Sequence, residues 1–145
     1  MPRGARVLEI GCGQGETTLA LARRVGRRGF VHGVDRAPPS YGAPVSLGAA
    51  RDRLLGLPEG GRIRMDFGAD ILSPDWRPPQ SEPFDCAVFS LCSWYFRSAG
   101  EFRAALRRAG ELAKTVCLAE WDLRLADISQ IGHFGAALVQ GMYNA

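Results

Sequence analysis

The chain has 145 residues, enough for one domain with a sizeable core but not comfortably for two. Its 46% hydrophobic and 23% charged residues are those of an ordinary globular protein, with no internal repeat and no low-complexity segment. The net charge of +3 is carried almost wholly by arginine, since Lys114 is the single lysine. The pairs Arg23-Arg24, Arg27-Arg28 and Arg107-Arg108 fall at helix ends or on an outer helix face, which argues against a nucleic-acid-binding surface.

In chain order, Val7–Ile10 reads as a short apolar strand that carries Glu9. Thr17–Val25 reads as a helix stopped by Gly26. GFVHGVD (Gly29–Asp35) is a second strand ending on an acid, and APPSYGAP then makes a stiff turn. A short helix runs from Ser46, as N-cap, to about Leu55. RIRMDFG (Arg62–Gly68) is a third strand, and the proline-rich Ser73–Pro83 is a surface loop. FDCAVFSL (Phe84–Leu91) is nearly all apolar, as expected of a strand buried on both faces. Ser98 with Glu101 forms a capping-box pattern before a helix whose Phe102, Ala105, Leu106, Ala109, Leu112 and Ala113 recur at helical spacing. TVCLAEWD (Thr115–Asp122) is a fifth strand. The last helix spans about Asp127–Met142, with Ile128, Ile131, Phe134, Leu138 and Met142 expected to face inward.

The four cysteines, Cys12, Cys86, Cys92 and Cys117, form no C-x-x-C pair and have no histidine at zinc spacing, so no metal site is expected. Cys86 and Cys117 fall in strands expected to be buried, where free cysteine behaves as a small hydrophobe. A reducing, cytoplasmic location without disulfides follows as the expectation. Neither a signal peptide nor a membrane-spanning run is recognisable.

Strands alternating with helices imply right-handed crossovers and a parallel sheet covered on both faces. Ligands of such sheets sit at the carboxyl ends of the strands. The residues there are Gly11–Gly15, Asp35, Gly68–Asp70, Ser90–Tyr95 and Glu120–Asp122. A strand–glycine–helix turn such as VLEIGCGQGETT can hold a nucleoside triphosphate, a nicotinamide dinucleotide or S-adenosylmethionine. The first needs a P-loop lysine that is missing here. The second puts pyrophosphate at the helix start, where Glu16 would repel it. A sulfonium ligand has no phosphate to repel.

VLEIGCGQGETT resembles the first motif of class I S-adenosylmethionine-dependent methyltransferases, an acid followed by G-x-G-x-G. Asp35 at the end of the second strand, GAD after the third and FDCAVFS as the fourth extend the resemblance over about residues 5–122. It implies a Rossmann-like three-layer α/β sandwich whose mainly parallel five-stranded sheet has the order 3-2-1-4-5. It implies S-adenosyl-L-methionine as cofactor and methyl transfer as activity. By the same resemblance Glu9 fixes the glycine loop, and Gly11, Cys12, Gly13 and Gly15 form the close-contact turn. Asp35 takes the ribose hydroxyls, and Arg36 stands where the family faces the adenine, which its guanidinium could stack on or Tyr41 could fold over instead. Asp70 and Ile71 meet the adenine, while Ser90 and Leu91 run beneath the methionine part. The family's helix before the first strand and its last two strands are missing from the pattern. The chain therefore reads as a single domain, residues 1–145, truncated at its C-terminus.

Methyl transfer requires alignment, and a base only if the acceptor must lose a proton. Tyr95, Glu120, Asp122 and His133 are the candidates for that role. Trp94, Tyr95 and Trp121 are candidate acceptor contacts, and a small-molecule acceptor is favoured over nucleic acid. The alternative is a non-catalytic S-adenosylmethionine-binding or interaction module. Its fifth strand would be an exposed edge through which two copies could pair.

Overall fold

The computed structural model describes residues 1–79, 82–122, 124 and 126–143, with side chains as far as Val139 in the last helix. Five strands, β1 (Arg6–Ile10), β2 (Phe30–Asp35), β3 (Ile63–Phe67), β4 (Cys86–Ser90) and β5 (Val116–Ala119), pair in the order β3-β2-β1-β4-β5. All four pairings are parallel. This is the Rossmann-like α/β order the resemblance implies.

Four helices connect or follow the strands: α1 (Glu16–Val25), α2 (Leu47–Leu55), α3 (Ala99–Leu112) and α4 (Ile131–Tyr143). Side chains alternate across each strand, so one chain feeds two cores. Leu8, Ile10, Val34, Ala87 and Phe89 pack under Ala105, Ala109 and Leu112 of α3. Val7, Val31, Met65, Cys86 and Val88 pack under Ala22 and Val25 of α1 and Leu54 of α2. The sheet is thus clamped between layers, and the strand ends that carry the glycine turn and the acids open together at one edge.

Capping is local and legible. The Ser46 hydroxyl accepts the Ala49 amide at 3.3 Å, and the Ser98 hydroxyl accepts that of Glu101 at 3.1 Å. The return arm of the capping box differs from expectation. The Glu101 carboxylate takes the amide of Arg97, at 2.7 Å, and also accepts from the Arg97 and Arg36 side chains.

Two further expectations give way at the β5 side. Cys117 is exposed, since β5 is an edge strand with a neighbour only at β4 among the described residues. In α4 and the 3-10 turn before it (Ile128–Gln130), Ile128, Ile131 and Leu138 are exposed. Ala137 is buried and Phe134 half-buried, and the Met142 side chain lies outside the described residues. A helical repeat of apolar residues faces inward only where a core exists to receive it.

Candidate functional site

The ends of β1, β2, β3 and the segment after β4 enclose a cavity of about 510 Å³, within the usual range for small-ligand sites. Backbone bonds set its frame. The Gly11 and Cys12 amides both donate to Val34 O, at 2.9 and 3.2 Å, and the Ala69 amide donates to Asp35 O at 2.9 Å. The glycine turn, the β2 end and the β3 end are therefore one framework.

Gly13 adopts φ +52°, and a side chain there would meet nothing within 4 Å. It lines the cavity, so that space is open to a ligand rather than filled by protein. Its amide donates to Asp35 Oδ2 at 2.9 Å, while Asp35 Oδ1 accepts the Ala37 amide at 2.9 Å. Two amides thus aim one carboxylate at the cavity edge. Gly11 also lines the cavity, and a methyl group on it would come within 2.7 Å of Cys92 Cβ. Gly15 has a packing role instead. It caps α1, and a side chain on it would collide with Leu54 and Met65.

Below the turn, Glu9 is 1% exposed and its carboxylate accepts the Thr18 hydroxyl at 2.5 Å. Burial pushes its pKa up to about 7 against the effect of that bond, and the charges of Glu16 and Asp35 add to the rise. Glu9 supports the turn and does not line the cavity. Cys12 is buried under the turn against Gly33, and burial raises its thiol pKa far above the ordinary value. Cys92 does line the cavity. Its thiol donates to Ile10 O at 3.2 Å, and burial, with the Glu120 charge, pushes it up to about 12. Neither thiol is ionised near neutral pH.

Asp70 and Ile71 both line the cavity. Asp70 Oδ1 accepts the Leu72 amide at 2.8 Å, so it caps its own turn while its other oxygen stays 3.9 Å from Arg36. The Arg36 guanidinium is engaged by protein. It donates to Glu101 at 2.7 Å and to Tyr95 O at 2.9 Å, and lies 5.4 Å from the Phe96 ring centre. Hydrogen bonds from Arg97, against the effect of burial, and further bonds from the Arg97 amide and Arg36, hold the Glu101 carboxyl down at about 2. This ion-paired cluster ties the β2 end to the start of α3.

Ser90 and Leu91 lie outside the cavity wall. The Ser90 hydroxyl accepts that of Thr17 at 3.3 Å. Leu91 takes φ +52°, uncommon for a residue with a side chain, and turns the chain so that Cys92 sits beneath Gly11.

The remaining candidates separate. Tyr95 is 60% exposed and lines the cavity. Glu120 points elsewhere. It accepts the Ser93 amide and hydroxyl, the Trp94 indole and the Trp121 amide, at 3.1, 2.5, 3.0 and 3.0 Å. Burial raises its pKa, but these four donors outweigh that and leave it below the ordinary value. Trp94 is thereby held away from the cavity. Asp122 is exposed and paired with Arg124 at 2.9 Å, and Trp121 meets the exposed His133 edge-on at 4.5 Å. Sequence reasoning did not assign Gln14, Leu47 and Phe96 to the site, and all three line the cavity. Their place beside the assigned residues was the only available signal.

A protein-family model described as a methyltransferase domain matches residues 7–115. The curated relative methyltransferase phomM of Diaporthe leptostromiformis is 32% identical over 164 aligned residues, 99% of this chain and 42% of phomM. Aklanonic acid methyltransferase DauC of Streptomyces sp. (strain C5) is 54% identical over 35 residues, 24% of this chain and 16% of DauC. A solved cyclopropane-fatty-acyl-phospholipid synthase-like protein from Lactobacillus casei ATCC 334 is 38% identical with a TM-score of 0.82. That match covers 95% of this chain and 50% of the other. The chain thus spans less than half the length of the curated relatives it matches.

Proposed function

This chain belongs to the class I S-adenosylmethionine-dependent methyltransferases, and from that premise we propose that residues 1–145 form the cofactor-binding domain of an enzyme that methylates a small molecule. The observation that carries the cofactor assignment is the Gly13–Asp35 contact at the edge of the cavity. It fixes a glycine whose missing side chain leaves room for a ligand, beside a carboxylate suited to a diol. Glu16 lines the cavity at the start of α1, which suits a ligand without phosphate.

When bound, S-adenosylmethionine would supply a methyl carbon activated by a positively charged sulfur that becomes neutral on transfer. The protein's share is binding and alignment. Asp35 would hold the ribose, Asp70 and Ile71 would bound the adenine, and Glu9 supports the turn from below. Tyr95 and Phe96 line the cavity and would help to keep water from the reacting atoms. Tyr95 is also the acceptor-side candidate that reaches the cavity.

A small acceptor is supported by charge. The ionic side chains of the wall are Glu16, Asp35, Asp70 and the already paired Arg36, a poor lining for a polyanion. The name of the relative DauC points the same way. A second reading, assembly through the sheet edge, rests on one observation. β5 presents a free edge among the described residues, with Leu118 and Trp121 half-exposed, where a partner or second copy would extend the sheet.

Calorimetric titration tests the assignment. S-adenosylmethionine is expected to bind with a dissociation constant on the order of micromolar, and NAD to give no heat. Absence of heat with S-adenosylmethionine from folded protein overturns the cofactor reading. Release of S-adenosylhomocysteine across a panel of small acceptors then separates enzyme from binder.

A further inference from the structure

Residues 36–46, RAPPSYGAPVS, join β2 to α2 and build part of the cavity wall. The loop closes on itself and on the start of α2. The Tyr41 amide donates to Pro38 O at 2.9 Å, that of Leu47 to Tyr41 O at 2.8 Å and that of Gly48 to Pro39 O at 2.8 Å. Among the described residues, a single hydrogen bond ties residues 38–46 to the glycine turn. The Gln14 side-chain amide donates to Val45 O at 2.6 Å, across 31 positions of sequence.

The surroundings of that bond are built for it. Gly42 adopts φ +100°, and a methyl group on it would stand 3.0 Å from the same Val45 oxygen and 3.7 Å from the Gln14 nitrogen. Any side chain at 42 would therefore crowd the contact and strain the backbone. Gln14 lines the cavity from the turn, and Tyr41, Gly42 and Ala43 line it from the loop. Tyr41 is 57% exposed, a large ring at the rim of a cavity. Pro38, Pro39 and Pro44 restrict the loop, which lowers the entropy lost when a ligand fixes it.

We propose that Gln14 is a positioning residue that latches the 38–46 loop to the glycine turn, and that Tyr41 is the cofactor-contacting side chain it places. The latch is a property of the chain itself, while the contact rests on the cofactor reading above. Gln14 suits the role because its amide reaches a carbonyl without adding charge to a wall that already holds three acids.

Two measurements on the whole chain test this. In the first, S-adenosylmethionine is titrated into wild type, Gln14→Ala, Tyr41→Ala and the double variant. Each single change is expected to weaken binding about 5–10-fold, and the double variant to be no worse than about twofold below the weaker single, because latch and contact act as one unit. Losses that simply multiply overturn the coupling. The second needs no cofactor. Amide hydrogen exchange at Leu47 and Gly48 is expected to speed up at least about fivefold in Gln14→Ala while α1 is unchanged, since local opening governs exchange. Unchanged exchange overturns the latch. Failure of wild type to bind S-adenosylmethionine would remove the cofactor reading and the Tyr41 contact, and the exchange result would still decide the latch.

Discussion

The carboxylates that end β2 and follow β3 differ from those that follow β5 in what holds them. Asp35 is aimed by two backbone amides, and Asp70 by one, and both remain on the cavity wall. Glu120 is saturated by four donors from residues 93, 94 and 121, and Asp122 is spent on Arg124 at the surface. An acid at or just past a strand end therefore need not line the cavity. The β1–β3 half supplies amides that orient carboxylates toward a shared space. At the β5 end, two backbone amides and two side chains, from the 93–95 turn and Trp121, turn a carboxylate into a brace for that turn.

The strongest way to break this comparison is Asp35→Ala. Loss of both amide contacts and of the proposed diol acceptor is expected to weaken S-adenosylmethionine binding about 100-fold or more, roughly 2.7 kcal/mol. Calorimetry decides, and a loss under about fivefold would remove Asp35 from the site.

Glu120→Gln tests the other half. A neutral amide cannot accept from all four donors, and stranding them costs about 1–3 kcal/mol. For a chain of this size that is a fall in Tm on the order of 3–10 °C. Cofactor affinity is expected to stay within about threefold, since Glu120 braces a segment and does not line the cavity. A large loss of affinity with an unchanged Tm would make Glu120 a binding group.

Much of the β1–β3 half was legible in the sequence, for reasons that also explain what was not. Buried parallel strands are apolar on both faces, so β1, β2 and β4 were visible, and their ends moved by only one or two residues. Asp35 was visible because motif and strand end coincide. The Gln14–Val45 bond was not, because its partners are 31 residues apart and one is a backbone carbonyl. The face of α4 was misread because periodicity reports an apolar stripe and not whether a core lies under it. The bonds that hold Glu120 were not legible, because three of its four donors come from a turn, Ser93–Tyr95, whose position depends on the tertiary fold.

Glu9→Gln gives a smaller effect with a definite sign in pH. The Glu9 carboxyl has an ordinary value of 4.5 and rises to about 7 in the fold, chiefly through burial. Between those values the folded chain keeps a proton that the unfolded chain has released. The stability it contributes is complete below about 4.5 and is lost as pH rises through about 7. The glutamine variant carries no such proton. Its Tm is expected to match wild type at pH 4.5, to fall less as pH rises, and to exceed wild type at pH 8. The depressed His32, disfavoured as a cation by burial, affects both chains alike and cancels in the difference. Equal pH profiles would mean that Glu9 is ionised in the fold.

Asp122→Ala is the smallest change and sharpens the contrast most directly. Asp122 is exposed, and its Arg124 hydrogen bonds keep its pKa below the ordinary value. Exposed pairs of this kind contribute little, because water screens them and two side chains must be ordered. The Tm is therefore expected to stay within about 1 °C. Cofactor affinity is expected to stay within about twofold, since no hydrogen bond links Asp122 to a cavity residue among the described residues. If affinity instead fell as it should for Asp35→Ala, the β5 end would have to reach the cofactor in solution. The division between an orienting half and a bracing half would then fail at the residue where it makes its weakest demand.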